Sequence, residues 1–245
     1  MGGRQGKLAL ENWEPEFASN VLGIHVCGER FEAHNSGALY WPGEQTLIVS
    51  DLHLEQGASL ASRGSLIPPY DTQTTLGELA VVLALYEPER VISLGDNFHD
   101  VAVAERLAPE TLEEILELQA GREWFWITGN HDPHLPDELR GHVTPQLTLA
   151  SIRFRHEPAE GAIAHEIAGH LHPAARVAKR GHTVRRKCFV TDGRRLVMPA
   201  FGAYTGGLNV LNESFAPLFP AESFQVWMLG RQDVYPVGKR YLLGD

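Results

Sequence analysis

Three short apolar runs, separated by helix-patterned segments, constrain the fold more than any other feature of this chain. TLIVSD (46–51), RVISLGD (90–96) and EWFWITGNHD (123–132) each open with continuous rather than alternating hydrophobic residues. Strands buried on both faces read this way. Between them, TTLGELAVVLALY (74–86) places Leu76, Leu79, Val82, Leu83 and Tyr86 at helical spacing. PETLEEILELQA (109–120) is amphipathic and opens with Pro and acids, as helix N-termini prefer. Strand, helix, strand, helix, strand implies a parallel sheet with crossovers. Ahead of the first run, residues 23–45 alternate short β-rich pieces with Gly and Asn turns, a hairpin leading into a strand.

The second half changes character. LTLASIRFRHEP, AIAHEIAGHLHP, KCFVTDGRRLVMPAF and SFQVWML are strand-like pieces joined by polar turns. Asp192-Gly193 between apolar runs is a hairpin signal. No repeat, low-complexity tract or Gly/Pro/Ser-rich linker divides the chain. The expectation is one domain over residues 1–245 with two sheets, in the α/β class.

Composition narrows the function classes. No apolar run approaches the ~20 residues of a membrane span, and residues 1–17 lack the pattern of a secretory signal. Two cysteines give no disulfide framework, so a reducing, cytoplasmic setting is expected. A net charge of -10 argues against non-specific nucleic-acid binding by the whole surface. Yet residues 176–195 hold eight of the 21 basic residues and a single acid, Asp192. That run reads either as a solvated face or as a local anion-facing edge.

The strand ends carry the chemistry. GNHD (129–132) alone would be a polar turn, because Asn and Asp bond the local backbone. Other strands end alike: Asp51 then His53, Asp96 then His99 and Asp100, Asn130 then His131, His156 after RFR, and His170 with His172 after EIAG. Ligands of open α/β sheets sit at the carboxyl ends of the strands. Carboxylate, amide and imidazole donors without thiolate suit Mn²⁺, Fe, Zn²⁺ or Mg²⁺. Seven donors are too many for one tetrahedral ion and suit two, which need a shared carboxylate to lie roughly 3.5–4 Å apart. Asp96, on the middle strand, is the natural bridge. Side chains two apart on an extended segment share a face, so Asp51 with His53, and His170 with His172, converge. Two such ions would produce hydroxide at neutral pH for attack on phosphorus.

These residues resemble the calcineurin-like metallophosphoesterases: Asp51-Leu52-His53, Gly95-Asp96, Gly129 to Asp132, His156, and Gly169 to His172, in that order. SDLHLEQG (50–57), PPYD (68–71), LGDNFHD (94–100), HEP (156–158), GHLHP (169–173) and FGAYTGGLNV (201–210) are similar to the bacterial ligase-associated, DNA-damage-response subgroup, the PdeM type. The resemblance implies a four-layer αββα sandwich of two mixed sheets flanked by helices. It implies that Asp51, His53 and His172 bind one ion, Asn130, His156 and His170 the other, and that Asp96 bridges them. His131 would face the scissile phosphate as general acid or charge stabiliser. The cofactor would be two divalent ions, manganese first, with Fe, Zn and Mg as alternatives. The activity would be phosphodiesterase or endonuclease action on DNA, single-stranded or damaged, in repair, with DNA ligase and helicase as partners.

The chain departs from the common motif in one place. His99 stands where a second Asp is usual, and Asp100 follows one residue later; Asp100 is the expected carboxylate partner of His131. Arg63 and Tyr204 are candidate substrate contacts, with packing or turn formation as the alternative reading of each. His25, His34, His134, His142, His165 and His182 read as ordinary surface or core histidines. The same ligand set would serve a phosphatase or cyclic-nucleotide phosphodiesterase acting on a small phosphoester. A homodimer paired through a second-half sheet edge is open.

Overall fold

A computed structural model describes residues 23–62, 64, 70–100, 107–161, 163–179, 181–219 and 224–245. The first sheet opens as an antiparallel meander of β1 (Ile24–Val26), β2 (Glu29–Ala33), β3 (Leu39–Trp41) and β4 (Thr46–Val49). It continues in parallel through β5 (Arg90–Leu94), β6 (Glu123–Ile127) and β7 (His142–Thr144), in the order β1 to β7. Helices α1 (Gln56–Ser62), α2 (Asp71–Tyr86) and α3 (Pro109–Gln119) follow its strands.

The continuous apolar runs have a simple cause: alternate residues of one strand face different cores. Leu47, Val49 and Val91 join Leu76, Leu79, Val82, Leu83 and Ile115 of the helices. Ile48, Ile92, Leu94 and Ile127 point the other way, against the second sheet. Helix α2 starts at Asp71, three residues before the expected start. Asp71 Oδ2 accepts the Gly57 amide at 2.9 Å and Thr72 Oγ1 accepts the Glu55 amide at 2.7 Å. These two side chains thus tie α2 to the segment that leaves the first site strand.

The second sheet comprises β8 (Gln146–Leu149), β9 (Ile152–Arg155), β10 (Glu166–Ala168), β11 (Pro173–Lys179), β12 (His182–Thr191), β13 (Arg195–Val197), β14 (Leu208–Asn209), β15 (Gln225–Leu229), β16 (Val234–Val237) and β17 (Leu242–Leu243). Its order is β14-β11-β12-β13-β10-β9-β8, with β15 and β17 pairing β12 and β11, and β16 pairing β15. Asp192-Gly193 does form the hairpin between β12 and β13. Phe154, Ile167, Phe189, Leu196 and Met198 face the first sheet, and this apolar layer joins the two halves. The fold is the two-sheet sandwich expected from sequence. Its outer layer beyond the second sheet is thin: among the described residues a 3-10 turn, Glu213–Phe215, and Leu218 and Phe219 after it cover Val190 and Val226. Among the described residues no helix is long and apolar enough to cross a membrane.

Candidate metal centre

Five strands, β4, β5, β6, β9 and β10, end at one edge of the sandwich, and each continues into a short segment carrying Asp, Asn or His. The backbone of those segments is unusual. Asp51, His53, Asp96, His170 and His172 have φ of 53°, 45°, 47°, 70° and 45°. Left-handed backbone at a non-glycine residue costs of order 1–3 kcal/mol and persists only where the surroundings fix it. Here the segments hold one another: the amides of Asp51 and His53 donate to the carbonyls of Gly95 and Asp96, and Gly169 donates to His156. Asp51 and His53 converge, whereas His170 and His172 turn to different donor groups, in each case through left-handed turns and not through the two-residue repeat of an extended strand.

The donor atoms form two groups that share no residue, Asp51, His53 and His172, and Asp96, His156 and His170, each within 4.8 Å of one another, and His53 also meets His99 and His131 in a third. His172 Nε2 is 3.3 Å from Asp51 Oδ1 and 3.3 Å from His53 Nε2. His156 Nε2 is 2.9 Å from Asn130 Oδ1, 3.1 Å from His170 Nδ1 and 3.3 Å from Asp96 Oδ2. Asp96 Oδ2 also lies 3.8 Å from His53 Nε2, so this carboxylate faces both groups. Strand β5 lies between β4 and β6, which places Asp96 in the middle. Two donors each about 2.1 Å from one ion, at tetrahedral to octahedral angles, are roughly 3.0–3.4 Å apart. Most of the separations match that spacing. The residues present therefore fit a pair of divalent cations.

Protonation follows the same logic. Burial pushes the His53 imidazole down to about 4. Burial also lowers His170, and the neighbouring His156 adds to the effect. Burial opposes the charge on Asp96, but the hydrogen bond and charge of His156 outweigh it and hold the carboxyl down at about 2. Asp51 is likewise lowered, against burial, by His172, His156 and the Ser50 hydroxyl. His156 moves the other way: burial disfavours its charge, yet Asp96, Asp51 and the Leu94 carbonyl raise it to about 9. Its Nδ1 donates to Leu94 O at 2.9 Å, which directs Nε2 toward the other donors.

Several supporting residues escape a reading of the sequence alone. Ser50 Oγ donates to Asp51 Oδ2 at 2.5 Å, and the His170 amide donates to the same carboxylate at 3.1 Å. Asp132, the last residue of GNHD, is fully buried. It accepts the amides of Gly129, Asn97 and Phe98 and the Asn97 side chain. It thereby ties the β6 turn to the turn that carries Asp96. Burial raises its carboxyl to about 6, against those four donors. A Cβ at Gly129 would collide with Asp96, and one at Gly169 would collide with Ser50 and Asp51, so both positions require glycine for close approach.

His131 lies beside the donor groups, with its side chain 42% exposed and Nε2 4.0 Å from Asp96 Oδ2. Its Nδ1 donates to the His99 carbonyl at 2.9 Å. Asp100, the expected carboxylate partner, accepts the Ser59 hydroxyl at 2.7 Å. The His99 ring lies 5.7 Å from His131, nearly parallel. Tyr204 is 38% exposed, on the 202–207 loop whose Gly202 amide donates to Asp51 O. Arg63 lies outside the described residues, as do residues 1–17.

Residues 45–186, more than half of the chain, match the calcineurin-like phosphoesterase family. The protein belongs to this family. It is a metal-dependent phosphoesterase, and the convergent Asp and His groups are those expected of such a hydrolase. Among solved structures, the nuclease MPE of Pseudomonas putida aligns with a TM-score of 0.69 and 29% identity, covering 89% of this phosphoesterase and 100% of that chain. AQ665 of Aquifex aeolicus, a protein of unknown function, aligns over 56% of this chain and 81% of its own, with TM-score 0.36 and 17% identity. YfcE, a phosphoesterase from E. coli, covers 78% and 97%, with TM-score 0.36 and 16% identity. No curated protein sequence gives a significant match.

Proposed function

We propose that this phosphoesterase is a binuclear, manganese-dependent phosphodiesterase that cleaves DNA. The carrying observation is the position of Asp96, whose Oδ2 faces His53 on one side and His156 on the other. Asp51, His53 and His172 would hold one ion and Asn130, His156 and His170 the other. Two divalent ions supply Lewis acidity to the phosphate oxygens and lower the pKa of a water to near neutrality. The chain does the rest. Its buried carboxylates and imidazoles fix the donors in advance, at the end of an apolar sandwich where Asn130 and His131 are exposed. The His99 carbonyl fixes the His131 tautomer, leaving Nε2 to carry a proton. As water oxygen joins phosphorus and the opposite P–O bond breaks, protonated Nε2 gives that proton to the departing oxygen, a task typically worth ~10²–10⁴-fold.

The choice of a DNA diester is supported by the 29%-identical nuclease, which aligns along its entire length. The basic stretch after GHLHP supports it too. The same proposal extends to a cytoplasmic role in DNA repair beside a DNA ligase and a helicase, supported by the SDLHLEQG, PPYD and FGAYTGGLNV segments. Hydrolysis of bis-p-nitrophenyl phosphate, p-nitrophenyl phosphate and a single-stranded oligonucleotide, with Mn²⁺ and with EDTA, tests it. Mn²⁺-dependent cleavage of the diester and the oligonucleotide, abolished by EDTA, is expected. Turnover of the monoester alone would replace this reading with a phosphatase.

A further inference from the structure

Strands β11 and β12 form an antiparallel pair in which Arg176 stands directly opposite Arg185. Side chains alternate across a strand. Cys188 and Val190 belong to the outer core, and Phe189 to the layer between the sheets. Arg185 and Lys187 therefore share the inner face with Phe189. Arg176 shares it by pairing, because its neighbours Ala175 and Val177 lie in the outer core. The inner face thus leaves the apolar layer at Phe189 and becomes basic.

That basic face reaches the metal centre through one loop. Lys187 Nζ donates to Gly202 O at 2.7 Å and to Thr205 Oγ1 at 2.9 Å. Arg185 Nη2 donates to Gly207 O at the other end of the loop. The next amide, Leu208, donates to the carbonyl of His172 at 2.9 Å. Arg185 is thus one peptide away from the backbone of a candidate metal ligand.

Like charges directly opposite each other on a sheet destabilise it. Paired arginines are therefore favoured by an anion nearby, and acceptors are present. Arg185 Nε lies 3.4 Å from Asp245 Oδ1, a carboxylate that is 59% exposed. Arg176 Nη1 donates to Gly244 O at 3.0 Å. A carboxylate and a phosphodiester oxygen offer a guanidinium fork the same kind of acceptor.

We propose that Arg176 and Arg185 form a second anion subsite, which takes a phosphate of the polynucleotide strand flanking the one being cleaved and releases Asp245 as it does so. The proposal rests on the DNA-phosphodiesterase reading above. It adds where the strand runs: away from the metals over Gly207, along the inner face of β12. A small diester ends inside the metal centre and does not reach this subsite.

The test is steady-state cleavage of a single-stranded oligonucleotide by the Mn²⁺-loaded full chain, with KM followed against salt. The parent is compared with Arg176→Ala, Arg185→Ala, Arg185→Lys and Asp245→Asn, each checked for an intact thermal transition. Each Ala variant should raise KM several-fold and make the log–log salt slope shallower by about 0.7, the loss of one phosphate contact to a single strand. Arg185→Lys should keep the slope, and Asp245→Asn should lower KM several-fold. Unchanged slopes in both Ala variants would overturn the subsite, while oligonucleotide cleavage by the parent would leave the nuclease reading standing. Loss of slope in Arg185→Lys equal to that in Arg185→Ala would also overturn it, leaving Arg185 as a support of the Gly207 loop. A parent that hydrolyses bis-p-nitrophenyl phosphate but no oligonucleotide would overturn both.

Discussion

The layer between the two sheets and the innermost donors of the metal centre at its edge are buried to nearly the same degree and built from opposite chemistry. Ile48, Ile92, Phe154 and Ile167 are inaccessible to solvent; two to four residues further along the same strands, Asp51, Asp96 and His156 are 0%, 2% and 5% exposed. The apolar layer gains free energy from every residue it removes from water. The centre loses it, because buried charges are expensive unless paired or bound to a metal. Left-handed backbone at five donor-bearing residues adds to that cost. The contrast teaches that the sandwich supplies stability and the edge spends part of it on a preformed set of donors.

Asp96→Ala should give the largest effect, since it removes the carboxylate whose Oδ2 faces His53 of one donor group and His156 Nε2 of the other. Mn²⁺-dependent diester hydrolysis should fall by about 10³-fold or more, the equivalent of several kcal/mol, with fewer than two ions retained per chain by elemental analysis. Full activity with two ions would break the contrast at its centre. Phe31→Ala, in the apolar layer and on a strand that carries no donor, should act oppositely. It should cost about 3–5 kcal/mol in denaturant unfolding and leave kcat unchanged well below the transition. His131→Ala should lower diester kcat by about 10²-fold with metal content unchanged, near the lower end for general acids because solvent reaches this half-exposed ring.

The smallest effect concerns pH, in EDTA-treated protein. His53 sits near 4, below its ordinary 6.5, so the unfolded chain binds more protons between those values and stability falls as pH drops through that window. His156 sits near 9, above 6.5, so its contribution is complete below 6.5 and is lost as pH rises through 9. The metal-free protein should therefore be most stable near pH 6.5, losing at most roughly 3 kcal/mol toward pH 9. Saturating Mn²⁺ should remove the alkaline loss, because a bound imidazole carries no proton to release. A flat metal-free profile above pH 6.5 would contradict the ion pairing of His156 with Asp96.

The contrast also explains what could be read from sequence. Continuous apolar runs disclose strands such as β4, β5 and β6, because burial on both faces leaves a composition signal. Polar residues ending those runs disclose Asp51, Asp96 and Asn130, because a polar group there has no packing role. Other features leave no such signal. The left-handed turns that aim His170 and His172 lie in non-glycine residues, and propensity gives no warning of them. Ser50, Asn97 and Asp132 read as ordinary turn formers, and their role appears only when the β5 and β6 turns meet. The contact of His131 with the His99 carbonyl is made by backbone, which the identity of residue 99 does not disclose. The Arg176 and Arg185 pairing depends on strand register, which the basic composition of 176–195 does not contain.

The proposed centre would hold two ions with seven side chains from five strands and share Asp96 between them. Electron paramagnetic resonance of the protein titrated with Mn²⁺ tests it most directly. A shared Asp96 should give two ions per chain and a spectrum of a weakly exchange-coupled pair, with the manganese hyperfine spacing halved, reverting to the spacing of isolated ions in Asp96→Ala. Saturation at one ion per chain, or two ions whose spectrum is that of isolated manganese in the parent protein, would contradict it.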